Sequence, residues 1–319
     1  MTTSIPTTTL PRSSSRTSAA GTVLAIGAGL SAVAFAIAVV GLIVDPTVIT
    51  GAPAWMKPAK FSFSIAIYLL TLRWILSHVR GHARLLTVLS TVIAVALVAE
   101  IVLVELQVLR GTTSHYNEST DLDAAVWYAM GGIVSFVLIA TIAAGVLALR
   151  QRGLDAGLAA GLRWGIGICV LGMLAAVTMI FNKGWNDSGG HTVGAADGGA
   201  GMPITGWSLE HGDLRVGHFV GLHALQVLPL LAWALRRWTR LDATTRARLL
   251  QVAGASYTAV VLLVTWQALR GQSVVRPDGE TLLVFAAIAA LAAVATITVL
   301  RRSPRRSQLV DEQGSRSAP

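Results

Sequence analysis

The sequence predicts an all-α fold: a polytopic membrane protein of eight transmembrane helices, built as two parallel four-helix repeats. The first observation behind this is composition. The 319 residues are 54% hydrophobic and only 13% charged, where soluble chains carry roughly 25% charged residues. The second is length. Eight near-continuous apolar runs, each of the size that crosses a hydrocarbon core, fall at about 22–44, 61–79, 85–109, 125–149, 160–181, 216–235, 246–269 and 280–300. The third is that the last four runs carry, in order, marks also found on the first four.

Residues 1–20 are Ser/Thr-rich, with Arg12 and Arg16, and hold nothing that could form a core. They read as a disordered cytosolic tail, and 303–319 reads the same way. The run at 22–44 is too long for a signal peptide and no clear small-residue cleavage site follows it, so it stays in the membrane as the first span. Between the tails lie a first four-helix half over 21–150 and a second over 151–302. The second is interrupted by a Gly-rich loop at 182–217.

Arginine placement sets the orientation. Arg80 and Arg84 lie between spans two and three, Arg150 and Arg152 between four and five, and Arg236, Arg237, Arg240, Arg246 and Arg248 between six and seven. Arg301, Arg302, Arg305 and Arg306 follow the last span. The alternate connections are acidic or nearly neutral: Glu118, Asp121 and Asp123 precede span four, and Asp187, Asp197, Glu210 and Asp213 precede span six. Both termini are therefore expected in the cytosol and the 182–217 loop outside. Arg73 and Arg163 lie toward the cytosolic ends of their spans, where a long side chain reaches the headgroups. Trp55, Trp127, Trp185 and Trp207 near one boundary, and Trp74, Trp164, Trp233 and Trp238 near the other, read as aromatic belts.

This topology accounts for the net charge of +9, which in a soluble domain would point to nucleic acid. The expected partner is the lipid bilayer, with no nucleic acid. The single cysteine, Cys169, rules out an intrachain disulfide and a cysteine metal cage. The predominance of arginine over the three lysines (Lys57, Lys60, Lys183) fits a GC-rich bacterial genome.

The internal matches keep one order. Leu106–Gly111 reads LQVLRG and Trp266–Gly271 reads WQALRG. Lys60-Phe61 opens span two as His218-Phe219 opens span six, with Trp74 and Trp233 near their far ends. Asp121 and Asp123 precede span four, and Asp278 and Glu280 open span eight. An even number of spans per half makes the halves parallel, related by an axis along the membrane normal, with spans two, three, six and seven at the centre. This layout, with Gln107 and Gln267 four residues before Gly111 and Gly271, resembles that of haem A synthases, which also pair two four-helix halves. That family ligates haem with histidines from both halves. Here the second, fourth and eighth spans lack a suitably placed histidine, so the resemblance stops at the layout.

The candidate site lies at the outer ends of spans three and six. At 1.5 Å per residue, Glu105 is about 6 Å and Glu100 about 14 Å below the outer end of span three, while His218 is about 3 Å and His223 about 10 Å deep in span six. A carboxyl at such depth must be protonated, paired or in contact with water. Glu100 and Gln107 share one helix face, and His223 and Gln226 share another. Glu100, Glu105 and His223 are the candidate catalytic groups, with His218, Gln226, Gln107, Arg110 and Arg270 around a cofactor or ligand. His223, His218 and Glu100 are the candidate ligands of a metal ion; haem is the other cofactor such a cluster could take. Lys57, Lys60, His115, Asn117, His191, His211, Asp213 and Arg215 crowd the same mouth. Ten glycines over 182–217, interspersed with Trp185, Val193, Met202, Ile204 and Trp207, fit a folded lid. His78 and His82 lie at the opposite, cytosolic end and read as part of a basic headgroup-binding surface.

Three functions fit: a cofactor- or metal-binding membrane enzyme acting on a small-molecule or lipid ligand, a proton-coupled small-molecule transporter, or a structural or assembly protein. The inner halves of the spans are nearly all apolar, and a transport path would need polar groups there. That asymmetry favours the enzyme.

Overall fold

A computed structural model describes residues 19–184 and 189–303. The readings made above for Arg12, Arg16, Trp185, Asp187, Arg305 and Arg306 lie outside the described residues. The chain forms α1 (Ala19–Val44), α2 (Met56–Leu76), α3 (Ala83–Leu109), α4 (Asp121–Leu149), α5 (Ala156–Phe181), α6 (Arg215–Trp238), α7 (Ala243–Leu269) and α8 (Gly279–Arg301). Each is long and apolar enough to cross a membrane. Two short antiparallel strand pairs complete it: β1 (Val48–Ile49) with β2 (Ala52–Pro53), and β3 (Thr192–Val193) with β4 (Gly212–Asp213).

Local chemistry starts and stops the helices. Asp155, Asp242 and Asp278 each accept a backbone N–H of the first turn, as N-cap carboxylates do. Thr120 does the same for α4, its hydroxyl accepting from Asp123 N at 3.2 Å. The two LRG endings have a physical meaning. Gly111 (φ 70°) and Gly271 (φ 75°) take the left-handed conformation just past α3 and α7. The amide of Thr112 then reaches back to Gln107 O at 3.0 Å, and that of Gln272 to Gln267 O at 3.2 Å, closing both helices with a Schellman turn that a residue with a Cβ would strain. The one large boundary shift is at α2, which starts at Met56 rather than near 61. Pro58 is the reason: in a first helical turn its missing N–H costs nothing. Lys57 and Lys60 therefore stand on a helix.

Packing divides the helices into two groups. In the first, α1 lies against α2 and α3, and α3 against α4; in the second, α5 lies against α6 and α7, and α7 against α8. The closest approach is α5 on α6, where glycines remove the side-chain layer. A Cβ at Gly172 would stand 2.8 Å from the Gly221 carbonyl carbon, and one at Gly161 2.8 Å from Leu228 O. Small residues are how membrane helices gain dispersion contact when lipid is as apolar as the side chains.

The seam between the groups differs from the expected centre of helices two, three, six and seven. Ile75 of α2 and Ala148 of α4 join one buried cluster with Leu162, Ile168 and Cys169 of α5 and Leu225 and Leu228 of α6. The buried apolar residues of α3 stay with the first group. Gly145 explains the choice, because Ile166 of α5 fills the space beside its Cα and so α4 can reach the second group. The Tyr68 and Thr141 hydroxyls, on α2 and α4, are hydrogen-bonded to each other beside this seam. On the outside, α8 leans on α7, and Thr281 is its one buried residue.

Candidate functional site

Four connections meet at one end of the bundle. The hairpin tip at Thr50 and Gly51, where both φ angles are positive, lies against Gly198. Gly189 lies against Tyr116, and Ser273 Oγ donates to Ser208 O at 2.7 Å. The segment 189–214 is folded across the helix ends rather than draped as coil. The Asp197 carboxylate accepts from the amides of Thr192 (2.8 Å) and His191 (3.2 Å), and Asn182 Nδ2 donates to Gly190 O and Thr192 O. Lys60 Nζ donates to Thr205 O at 2.9 Å, tying the loop to α2.

Inside the loop, Asp213 is the anchor. It is 1% exposed and takes two bonds from the Arg215 guanidinium, at 2.9 and 2.6 Å, with a third from Ser208 N at 2.9 Å. Burial pushes its carboxyl up, but Arg215, His191 and the Ser208 amide outweigh that and hold it below the usual carboxylate range. His191 lies 3.3 Å from Asp197 and 3.9 Å from Asp213. Burial and the Arg215 charge nevertheless outweigh those carboxylates and keep the imidazole below its ordinary range. Asp213, Arg215 and His191 thus act within the loop. His211 N donates to Ser208 Oγ at 3.0 Å.

Beneath the loop the polar groups are less satisfied. Glu100 on α3 is 1% exposed, and neither carboxyl oxygen has a hydrogen-bond partner among the described residues. Its charged neighbour is Lys57 of α2. The Lys57 ammonium lies 5.8 Å from the Phe61 ring centroid and within electrostatic range of Glu100, Arg215 and Asp197. Next to it stands His115, whose ring is 5.3 Å from Trp127, 5.7 Å from Phe61 and 6.2 Å from Tyr116. Burial, with Lys57 and His218 alongside, holds the His115 imidazole well below its ordinary range. His218 engages Gly172 O through Nδ1 at 2.9 Å, leaving Nε2 as its other ring nitrogen. Lys57, Glu100, His115 and His218 thus form one neighbourhood contributed by α2, α3, the 110–120 connection and α6.

Other candidates are placed elsewhere. Glu105 is five residues from Glu100, hence about 140° around the helix, and does not share its face. His223 lies within electrostatic range of His218, its ring stacked edge-on with Phe219 at 4.3 Å, and the buried Gln226 amide turns back to the carbonyls of His223 and Leu222 when oriented to satisfy its nitrogen. Gln107 Nε2 donates to Asp123 Oδ1 at 2.8 Å, and Asn117 Nδ2 donates to Thr112 Oγ1 and Thr113 O, so both knit the α3–α4 connection. Arg110 pairs with Asp123 and Arg270 with Asp278, so both cations are already neutralised. Among the described residues no three His, Cys, Asp or Glu side chains gather as a metal ion requires. His223, His218 and Glu100 are accordingly not gathered as a ligand set among the described residues.

Matched depth put Glu100 opposite His223, but depth says nothing about position around the bundle. Trp127 belongs to the wall around His115 and not simply to a belt. In the sequence Phe61 marks only the start of span two, and nothing points to Tyr116. The signal at Tyr116 is backbone: its φ of 55° is unusual for a bulky residue, and a sequence does not display it.

Fold and composition together define the class: this is a multi-pass α-helical integral membrane protein, with eight candidate spans embedding it in the lipid bilayer. Comparison with family models, curated proteins and solved structures gives no match.

Proposed function

We propose that the chain is a membrane enzyme that binds a small-molecule or lipid ligand beneath the folded loop and works on it by acid–base chemistry. One observation carries this reading: the Glu100 carboxyl is buried without a hydrogen-bond partner among the described residues, close to Lys57, to which it is not bonded. Buried polar groups are normally paired, and an unpartnered carboxyl beside a buried cation is the arrangement a ligand completes. In this reading Lys57 holds an anionic or carbonyl oxygen of the ligand, Glu100 moves a proton, and His115 and His218 carry it onward. The Tyr68–Thr141 hydroxyl pair is a polar feature at the seam that a proton-coupled transporter would use, and it keeps that reading as the alternative.

The same proposal includes the orientation and the repeat. Arginine placement supports cytosolic termini and an outward-facing loop. The equivalent helix neighbours in the two groups, the twin Schellman turns and the twin Arg–Asp pairs support two parallel copies of a four-helix unit related by an axis along the membrane normal.

The test compares wild type, Glu100→Gln and Lys57→Met after detergent purification. Bound small molecules and lipids are identified by mass spectrometry, turnover of the recovered species is assayed, and uptake is measured in vesicles with and without a pH gradient. The expectation is a species retained by wild type and lost from Lys57→Met. Its conversion should fall by about 100-fold or more in Glu100→Gln, the scale of a general acid–base contribution, with thermal stability kept. Accumulation driven by the pH gradient without conversion would establish the transporter. If both variants lose only stability and retain the bound species, the cluster is helix packing.

A further inference from the structure

At the end of the bundle away from the folded loop, a cleft of about 340 Å³ opens where three segments converge. Its rim carries Arg80 from the α2–α3 connection, Arg152 from the α4–α5 connection and Arg236 from the last turn of α6. All three are exposed. Among the described residues, none of their guanidinium groups donates a hydrogen bond to the protein or forms an ion pair.

The cleft is nonetheless built. Gln151 accepts from the Arg80 amide at 2.9 Å, joining the two connections. Asp155 is the carboxylate in the lining, and it is already engaged. It accepts from Arg246 at 2.8 Å and caps α5 through Leu158 N at 3.1 Å. Partial burial pushes its carboxyl up, but those bonds and the nearby Arg246 and Arg236 charges outweigh this and hold it below the usual range. Counting Arg246, four guanidinium charges face one carboxylate. Like charges held around a common space repel, and an anion between them converts that repulsion into attraction. Guanidinium groups pair best with planar or tetrahedral oxyanions, phosphate above all. The volume equals roughly ten water molecules, room for a phosphate and a small substituent.

We propose that this cleft binds a phosphate-bearing anion, either a lipid headgroup or a soluble phosphate compound, bridging the first group of helices to the second. Arg80 lies on the first group, Arg236 on the second and Arg152 between them, so the ligand ties the two together across the end of their seam. The proposal is independent of the chemistry assigned to Glu100.

The experiment uses the full chain in detergent at about 0.15 M salt, where diffuse surface attraction is screened beyond about 8 Å. Binding of phosphatidylglycerol, phosphatidylcholine and inorganic phosphate is measured by native mass spectrometry and thermal shift. The variants are the triple substitution Arg80→Gln, Arg152→Gln, Arg236→Gln, the single Arg152→Gln, and a control double, Arg240→Gln with Arg248→Gln, at the same end but off the cleft. Wild type is expected to bind phosphatidylglycerol or phosphate, with phosphatidylcholine inert, and the triple variant to lose at least about tenfold in affinity. The control double should change by less than about twofold, as dispersed surface charge does. The single variant should fall in between, which secures the result if the triple variant folds poorly. Binding of phosphatidylglycerol with no effect of phosphate assigns the lipid; the reverse assigns a soluble compound. Equal losses in triple and control variants, a triple variant that binds like wild type, or a wild type that takes up none of the probes overturns the proposal.

Discussion

Arg110 and Asp123 hold each other at 2.6 Å across the connection between α3 and α4, and Arg270 and Asp278 repeat the pair at 2.6 Å between α7 and α8. In both, the arginine ends a helix at a Schellman turn and the aspartate begins the next helix. The two pairs differ in surroundings. The Asp123 side chain is 4% exposed and that of Asp278 36%, and Asp123 also receives Gln107, Ser119 and Thr120.

Asp123→Ala is therefore expected to lower the thermal unfolding midpoint clearly more than Asp278→Ala. It leaves the buried Gln107 amide with only Thr113 O at 3.4 Å as an acceptor and deprives Arg110 of its carboxylate, whereas Arg270 keeps Glu280 and the face of Trp266. Unfolding of the detergent-solubilised variants, followed by circular dichroism, checks the order. An equal or reversed ranking would show that the extra bonds at Asp123 contribute nothing.

Gly172→Ala is expected to destabilise by about 1–3 kcal/mol, the usual cost of forcing extra volume into close packing. Its new methyl would meet the Gly221 backbone, with Leu222 N at 2.8 Å, and the displacement would disturb the His218 bond to Gly172 O. Gly167 lies on the same helix with nothing within 4 Å of the site of a Cβ, so Gly167→Ala should be neutral or slightly stabilising. Chemical unfolding of the pair of variants separates packing from helix propensity.

Acidification should loosen the loop end. The imidazoles of His115 and His191 are both held below their ordinary range in the folded protein, so the unfolded chain takes up protons first as pH falls below roughly 6.5. Where the unfolded state binds more protons, stability rises with pH; it is thus lost on going down from about pH 6.5. Asp213 has the opposite kind of group with the same outcome. Its lowered carboxyl favours folding above roughly pH 3.9, and that contribution goes as pH falls further. Unfolding midpoints between pH 8 and 4 should decline, and His115→Phe should flatten the upper part of the curve. A flat wild-type profile would contradict the burial of these rings.

One-sided labelling tests the orientation. Cys169 is buried and free, so it is replaced by serine, and single cysteines are introduced at the exposed Ile204 of the loop and the exposed Arg240 of the α6–α7 connection. An impermeant maleimide applied outside intact cells should label Ile204→Cys and spare Arg240→Cys. The reverse pattern inverts every assignment of outer and inner face.

Much of the architecture was legible in the chain because it follows from local properties. Apolar run length marks a span, Asp or Thr ahead of a run caps it, and Leu-Arg-Gly ends it. In this way the eight helices lie within a few residues of where the sequence puts them, apart from the start of α2, which the apolar run alone places near 61 and which Pro58, in the first turn, allows to begin at Met56. The class of protein, the folded character expected of the Gly-rich loop and the interest of Glu100 come from the same source.

What only the tertiary structure decided is which side chains meet. Depth along a span is a one-dimensional quantity, and it paired Glu100 with His223. Rotation about the helix axis and the order of helices around the bundle are set by packing, through Gly145 admitting Ile166 and through the glycines that draw α5 onto α6. That packing puts the seam at α2, α4, α5 and α6, gives Glu100 the neighbour Lys57, and commits Gln107, Arg110 and Arg270 to the turns beside them. The arginines around the far cleft likewise read, along the chain, as topology signals. Only their convergence from three separate segments turns them into a site.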